Sequence, residues 1–139
     1  MRVYLDTNII LDFLDQTRPA HNDVQAIVRH LIMNDIETYL SEDMLTTIYY
    51  IAKDKSKALE FFEAVLKLWK VVPFGQSLIF DAISISKNGD DFEDVLQCLT
   101  AKANGCNVLI TNDQKFYHCG IEVMSASTYL HSVENDSTK

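Results

Sequence analysis

The chain is constrained most by how short its apolar runs are and by what stops them. Val3-Tyr4-Leu5 ends at Asp6-Thr7-Asn8, and Asn107–Ile110 ends at Thr111-Asn112-Asp113. A few apolar residues without polar alternation make a strand buried on both faces. Thr38–Leu40, Val71-Val72 and Glu122–Met124 read the same way.

Between these runs the spacing is helical. Asn8–Asp15 forms a short helix, broken by Thr17-Arg18-Pro19, and Pro19 suits the first turn of the next. That next helix carries Val24, Ile27, Val28 and Leu31 on one stripe. Ser41 caps a helix from Glu42 to about Lys53, with Glu42 and Asp43 in its positive first turn. Ser56 is expected to cap another, with Leu59, Phe62, Val65, Leu66 and Trp69 apolar. Leu78 to Ile85 continues in helical spacing and ends near Asn88-Gly89. Asp90 or Asp91 opens a helix whose core face holds Val95, Leu96, Leu99 and Ala103, and Gly105 closes it. A short helix is expected from about Ser127. The polar stretch after His131 is expected to fray.

Strands alternating with helices specify an α/β fold on a parallel sheet. The 139 residues show no repeat and no linker, so residues 1–131 read as one domain followed by a tail, 132–139. Ligands of such sheets collect outside the carboxyl ends of the strands. Asp6 and Asp113 fall there, at one edge, if their strands are parallel neighbours.

The totals exclude some functions. A formal charge of −8 and a pI near 4.8 leave no basic surface to exchange for phosphate counterions, so passive nucleic-acid binding is excluded. Excess acid remains compatible with solubility, a basic protein partner or carboxylates gathered around a divalent cation. Cys98, Cys106 and Cys119 form no Cys-x-x-Cys and are expected to be reduced structural thiols rather than metal ligands. The four histidines lack zinc-like spacing. No targeting segment or membrane-length apolar run is visible, so the expectation is a soluble, cytoplasmic protein.

Asp90-Asp91-Phe92-Glu93-Asp94 adds further acids, with Asp91 and Asp94 on one helical face. Singly, Asp6, Asp91 and Asp113 each read as a helix cap. Together, Asp6, Asp94 and Asp113 read as a cation site. Two carboxylates at 4 Å repel by about 4 kcal/mol at an effective dielectric near 20, so converging acids take up protons or hold an ion. Hard oxygen ligands suit Mg²⁺ or Mn²⁺.

Three segments in this order resemble the PIN-domain family of metal-dependent ribonucleases, in its single-domain bacterial, VapC toxin-like form. They are Val3–Asn8, Asp91–Gln97 and Val108–Phe116. The resemblance extends to about Leu130. It implies a three-layer α/β/α sandwich with a parallel sheet of four or five strands, and hydrolysis of RNA phosphodiesters at a carboxylate-held Mg²⁺ or Mn²⁺. It maps the metal-binding and catalytic acids onto Asp6, Asp94 and Asp113. Asn8, Asp91, Thr111 and Asn112 take supporting places. It also implies a small antitoxin protein and a homodimer as candidate partners. One departure stands out. The family's glutamate two turns into the helix after the second strand falls at Thr47 here, and Glu42 and Asp43 lie one turn too early. Either one of them substitutes, Glu42 being a less favoured metal ligand than Asp6, Asp94 and Asp113, or fewer carboxylates hold the ion. A PIN-like binding or regulatory module with weakened chemistry is therefore the alternative. A phosphoryl-accepting receiver domain fits less well, because no second acid pairs with Asp6 and Lys115 does not end a strand. Lys53, Lys55 and Lys57 form the densest basic group and read as a solvated turn, with a phosphate-guiding patch as the alternative.

Overall fold

The structure of the protein, a computed structural model, describes residues 1–137. Among the described residues there are five strands and seven helices. In chain order these are β1 (Arg2–Leu5), α1 (Thr7–Leu14), α2 (His21–Met33), β2 (Glu37–Ser41), α3 (Glu42–Ile51), α4 (Lys55–Leu68), β3 (Lys70–Val72), α5 (Gln76–Ser86), α6 (Phe92–Ala103), β4 (Val108–Ile110), β5 (Glu122–Met124) and α7 (Ala126–Ser137). All strands pair in parallel, in the order β3-β2-β1-β4-β5. The parallel α/β sheet is as the alternating runs predicted, and the α/β/α layering is as the family resemblance implied.

The order has one consequence for function. From β1 the chain builds outward to β2 and β3 on one side, then returns to add β4 and β5 on the other. The sheet therefore reverses direction between β1 and β4, and open α/β sheets bind ligands in the crevice at such a point. The β1–β4 register pairs Leu5 with Ile110, and the Asp6 amide extends the ladder by donating to the Ile110 carbonyl at 3.0 Å. Asp6 and Thr111 thus leave the sheet side by side.

β1 is buried along Val3, Tyr4 and Leu5 because helices cover both faces of the sheet. The main core joins Ile9, Ile10, Ile27, Leu31, Leu40, Met44, Ile48 and Leu109. A smaller cluster of Ala82, Val95 and Leu96, with Phe74 and Leu99 against it, binds α5 to α6. No described helix is long and apolar enough to cross a membrane.

Four expectations need correction. Asp54, not Ser56, caps α4, its Oδ1 accepting from the Lys57 amide at 3.1 Å. A carboxylate one residue ahead of the helix satisfies that amide, and Ser56 lies inside the first turn. Asp113 caps no helix, and none lies between β4 and β5. Its Oδ1 closes a tight turn by accepting from the Lys115 amide at 2.9 Å, a local bond aspartate forms readily. The last helix begins at Ala126 and runs to Ser137, so the segment after His131 is helical; residues 138 and 139 lie outside the described residues. Finally, Cys98 and Cys119 are joined in a disulfide, and only Cys106 is a free, buried thiol. The loop between β4 and β5 folds back over α6, and that proximity has no trace in sequence spacing.

Candidate metal centre

Three helices begin at the carboxyl edge of the sheet and bring acids with them. Asp6 is the N-cap of α1 and only 7% exposed. Both its oxygens are held: Oδ1 accepts from the Thr7 amide at 2.9 Å and Oδ2 from the Thr111 hydroxyl at 2.8 Å. The Thr111 Oγ1 also accepts from the Asp113 amide at 3.1 Å. One hydroxyl thereby ties the acid after β1 to the acid after β4. Phe116, nearly buried, donates its amide to the Asp113 carbonyl and anchors the turn.

Asp91 is the N-cap of α6, and its Oδ1 accepts from the Asp94 amide at 3.0 Å. Asp94 lies in the first turn, where the helix's positive end favours a carboxylate. Its proton affinity is nevertheless high. Burial, then Asp91, Asp6, Asp113 and Glu93, push its carboxyl up to about 7. Burial also raises Asp6, opposed by its bonds to Thr111 and Thr7 and reinforced by Asp113 and Asp91. The predicted acids from three separate parts of the chain therefore feel one another's charge.

Two further acids enter this field, Glu93 and the Asp43 that lies one turn before the expected glutamate position. Glu93 is raised by burial and by Asp6, Asp43 and Asp91. Asp43, in the first turn of α3, acts on Glu93 and also on Tyr4. Asp43 rather than Glu42 is thus the α3 acid felt at Glu93. The available signal was that α3 and α6 both start at the functional edge, so their first-turn acids gather there. Thr47 is half-buried, further along α3.

The supporting residues divide. Thr111 is central. Asn8 follows in the first turn of α1, and its Oδ1 and the Thr7 Oγ1 are buried without a partner. Asn112 bonds away from the acids after β1 and α6. Its Oδ1 accepts from the Ala126 amide at 3.0 Å and its Nδ2 reaches Asp12 at 3.4 Å, which ties β4 to α7 and α1. Beneath the acids, the buried Tyr4 hydroxyl donates to Gln97 Oε1, joining β1 to α6 one turn beyond Asp94.

No three His, Cys, Asp or Glu side chains among the described residues close into a ready-made ion cage. The donor set still fits a divalent ion. It is all hard oxygen, its proton affinity is raised at Asp6, Glu93 and Asp94, and unpartnered buried oxygens stand beside Asp6. Mg²⁺ keeps several waters and takes only one or two carboxylates directly, so an open arrangement suits it.

The basic group is elsewhere. Lys53 Nζ pairs with Asp15 at 3.4 Å, and Lys55 Nζ donates to the Tyr49 carbonyl at 2.8 Å. Both lie by the C-terminal ends of α1 and α3, across the molecule from the acids.

Comparison with known proteins agrees with this architecture. A family model described as PIN domain matches residues 2–115. The chain is 35% identical to Ribonuclease VapC1 of Aquifex aeolicus (strain VF5) over 133 residues, 92% of each chain. Among solved structures it is similar to VapBC2 from Rickettsia felis bound to a promoter DNA fragment (TM-score 0.67, 17% identity, 90% of this chain and 98% of that one). It is also similar to a toxin-antitoxin complex from Klebsiella pneumoniae (TM-score 0.69, 16% identity, 89% and 97%). Matched over most of its length by the family model, and over nearly all of it by a relative at this identity, the chain belongs to the PIN-domain family.

Proposed function

We propose that the protein is a metal-dependent ribonuclease and the toxin of a toxin-antitoxin pair, with Asp6, Asp94 and Asp113 holding a Mg²⁺ or Mn²⁺ ion. The observation that carries this reading is the meeting of acids from β1, α6 and the β4–β5 loop at the sheet's switch point, where burial first, and then Asp91, Asp6, Asp113 and Glu93, raise Asp94 to about 7. An ion bound there supplies a water of lowered pKa and neutralises charge on phosphate oxygens. The protein's own residues orient and restrain: Thr111 fixes the Asp6 carboxylate and the Asp113 backbone together, and Asp91 fixes the start of α6. The ribonuclease relative and the toxin-antitoxin structures support the substrate class and an antitoxin partner.

Asp6→Asn tests this. The Asn amide still fits the cap, but one anionic ligand is gone. Mn²⁺-dependent cleavage of single-stranded RNA should fall by roughly 10²-fold or more, the scale for removing one electrostatic group from such a site. Circular dichroism should report an unchanged fold. A variant that cuts as fast as the parent refutes the assignment.

The second reading, a PIN-like module with weakened chemistry, is favoured by Thr47 at the expected glutamate position and by the open arrangement of the acids. Calorimetry separates the two: no Mn²⁺ or Mg²⁺ binding at millimolar concentration selects the binding module.

A further inference from the structure

Beside the acids lies a cavity of about 230 Å³ that shares Thr111 and Asp113 with them. Val123 and Met124, at the end of β5, give it apolar surface. Asn112 contributes a wall already fixed by its bonds to Ala126 and Asp12. Gln114, His118 and Ser125 complete the lining. Gln114 and His118 are exposed, and neither side chain has a hydrogen-bond partner among the described residues.

No Lys or Arg lines this cavity, and Asp113 forms part of its wall, so it is unsuited to a phosphate. Its size is below the ~300–1,000 Å³ of pockets that take drug-sized ligands, so it accommodates a single ring system. An amide, an imidazole and an apolar floor match a neutral planar ligand with polar edges. Single-stranded RNA offers such groups as splayed bases, which proteins recognise by stacking on aromatic side chains, His included, and by bonding to their edges. An acidic protein gains little from phosphate contacts, so base contacts must contribute much of its hold on RNA. The loop is also braced: Phe116 is buried, the Lys102 Nζ donates to the Cys119 carbonyl at 3.1 Å, and Cys119 is bonded to Cys98. A braced loop loses less entropy on binding.

Building on the ribonuclease reading, we propose that this cavity is a nucleobase pocket. It holds one base of a single-stranded RNA next to the phosphate at the acids, with His118 as the stacking surface and Gln114 as the reader of the base edge. His118 lies beyond the segment that the family model matches, as do Val123 and Met124.

Two measurements on the full chain test it. In the first, short RNAs that differ at one position are cut by the parent, His118→Ala and Gln114→Ala. The parent should prefer one base beside the cut, and each variant should flatten that preference, by about tenfold for His118→Ala. An undiminished preference in both variants overturns the proposal. The second does not depend on cleavage. The imidazole proton signals of His118 are followed in Asp6→Asn protein during titration with ribonucleoside 5′-monophosphates and with ribose 5-phosphate. Shifts with the nucleotides alone support the pocket. No shift, or equal shifts with ribose 5-phosphate, overturns it. A protein that shows the shifts but cuts no RNA keeps the pocket and loses the ribonuclease reading; one that cuts RNA without them does the reverse.

Discussion

At the scale of single residues, Asp94 is the most informative group. Its carboxyl is raised to about 7 in the folded chain by burial and then by Asp91, Asp6, Asp113 and Glu93, against about 3.9 in an unfolded one. A raised acid binds its proton more tightly in the native state. Its contribution to stability is thus fully present below about pH 4 and is lost as pH rises through about 7. Metal-free protein should melt at a lower temperature at pH 8 than at pH 5.5. Asp94→Asn should flatten that difference and stabilise the metal-free fold at pH 8, by a few °C in differential scanning fluorimetry. Added Mn²⁺ should restore the parent at pH 8, because a bound ion stabilises only the native state, and should do little for the variant. A variant less stable than the parent at pH 8 contradicts the charge-repulsion account. Asp6, Asp94 and Asp113 were legible in the sequence because each interrupts or abuts an apolar run at a strand or helix end. Glu93 was not, and Asp43 only as a substitute one turn too early, since first-turn acids are common on any helix and only the sheet order shows which first turns meet. The part of Asn112 in bracing α7 was equally hidden, because it depends on a partner fourteen residues away.

At the scale of elements, strands and most helices followed from local pattern. β5 occupies the expected Glu122–Met124, and Ser41 and Asp91 cap α3 and α6 as their spacing required. The failures arose where the decision was not local. The β4–β5 segment forms no helix because the Asp113 turn and the burial of Phe116 send it back across α6. The same path brings Cys119 to Cys98, closing a link of 21 residues that spans β4. Chain entropy for a loop of that length gives about 3 kcal/mol of stabilisation. With a urea dependence of ~1–3 kcal/mol per molar, reduction should lower the unfolding midpoint by about one molar or more. A Cys98→Ser/Cys119→Ser variant should unfold at the reduced midpoint and ignore added reductant. Equal midpoints for the parent with and without reductant would show that α6 and the loop are held by packing alone.

At the scale of the whole molecule, charge is distributed along the direction in which the helices run. The acids gather where α1, α3 and α6 begin, and Lys53, Lys55 and Lys57 gather near where α1 and α3 end. Helices of eight and ten residues span about 12 and 15 Å, longer than the roughly 8 Å screening length at physiological salt. Two of the lysines are also occupied. Lys53 pairs with Asp15, and Lys55 covers the last carbonyls of α3 while stacking 4.8 Å from the Tyr49 ring centre. They hold the far end of the molecule and cannot steer RNA toward the acids. Replacing all three with Gln should therefore leave RNA cleavage within about twofold while lowering the melting temperature. Salt gives the sharper measurement. A basic nuclease loses affinity steeply with salt, in proportion to the phosphates it neutralises. This chain has a net charge of −8, so monovalent salt should mainly screen its repulsion of RNA. At fixed, saturating Mn²⁺, kcat/KM should stay level or rise between about 50 and 200 mM KCl. A fall of tenfold or more over that range, abolished by the triple Lys substitution, would place the RNA path across the lysine end.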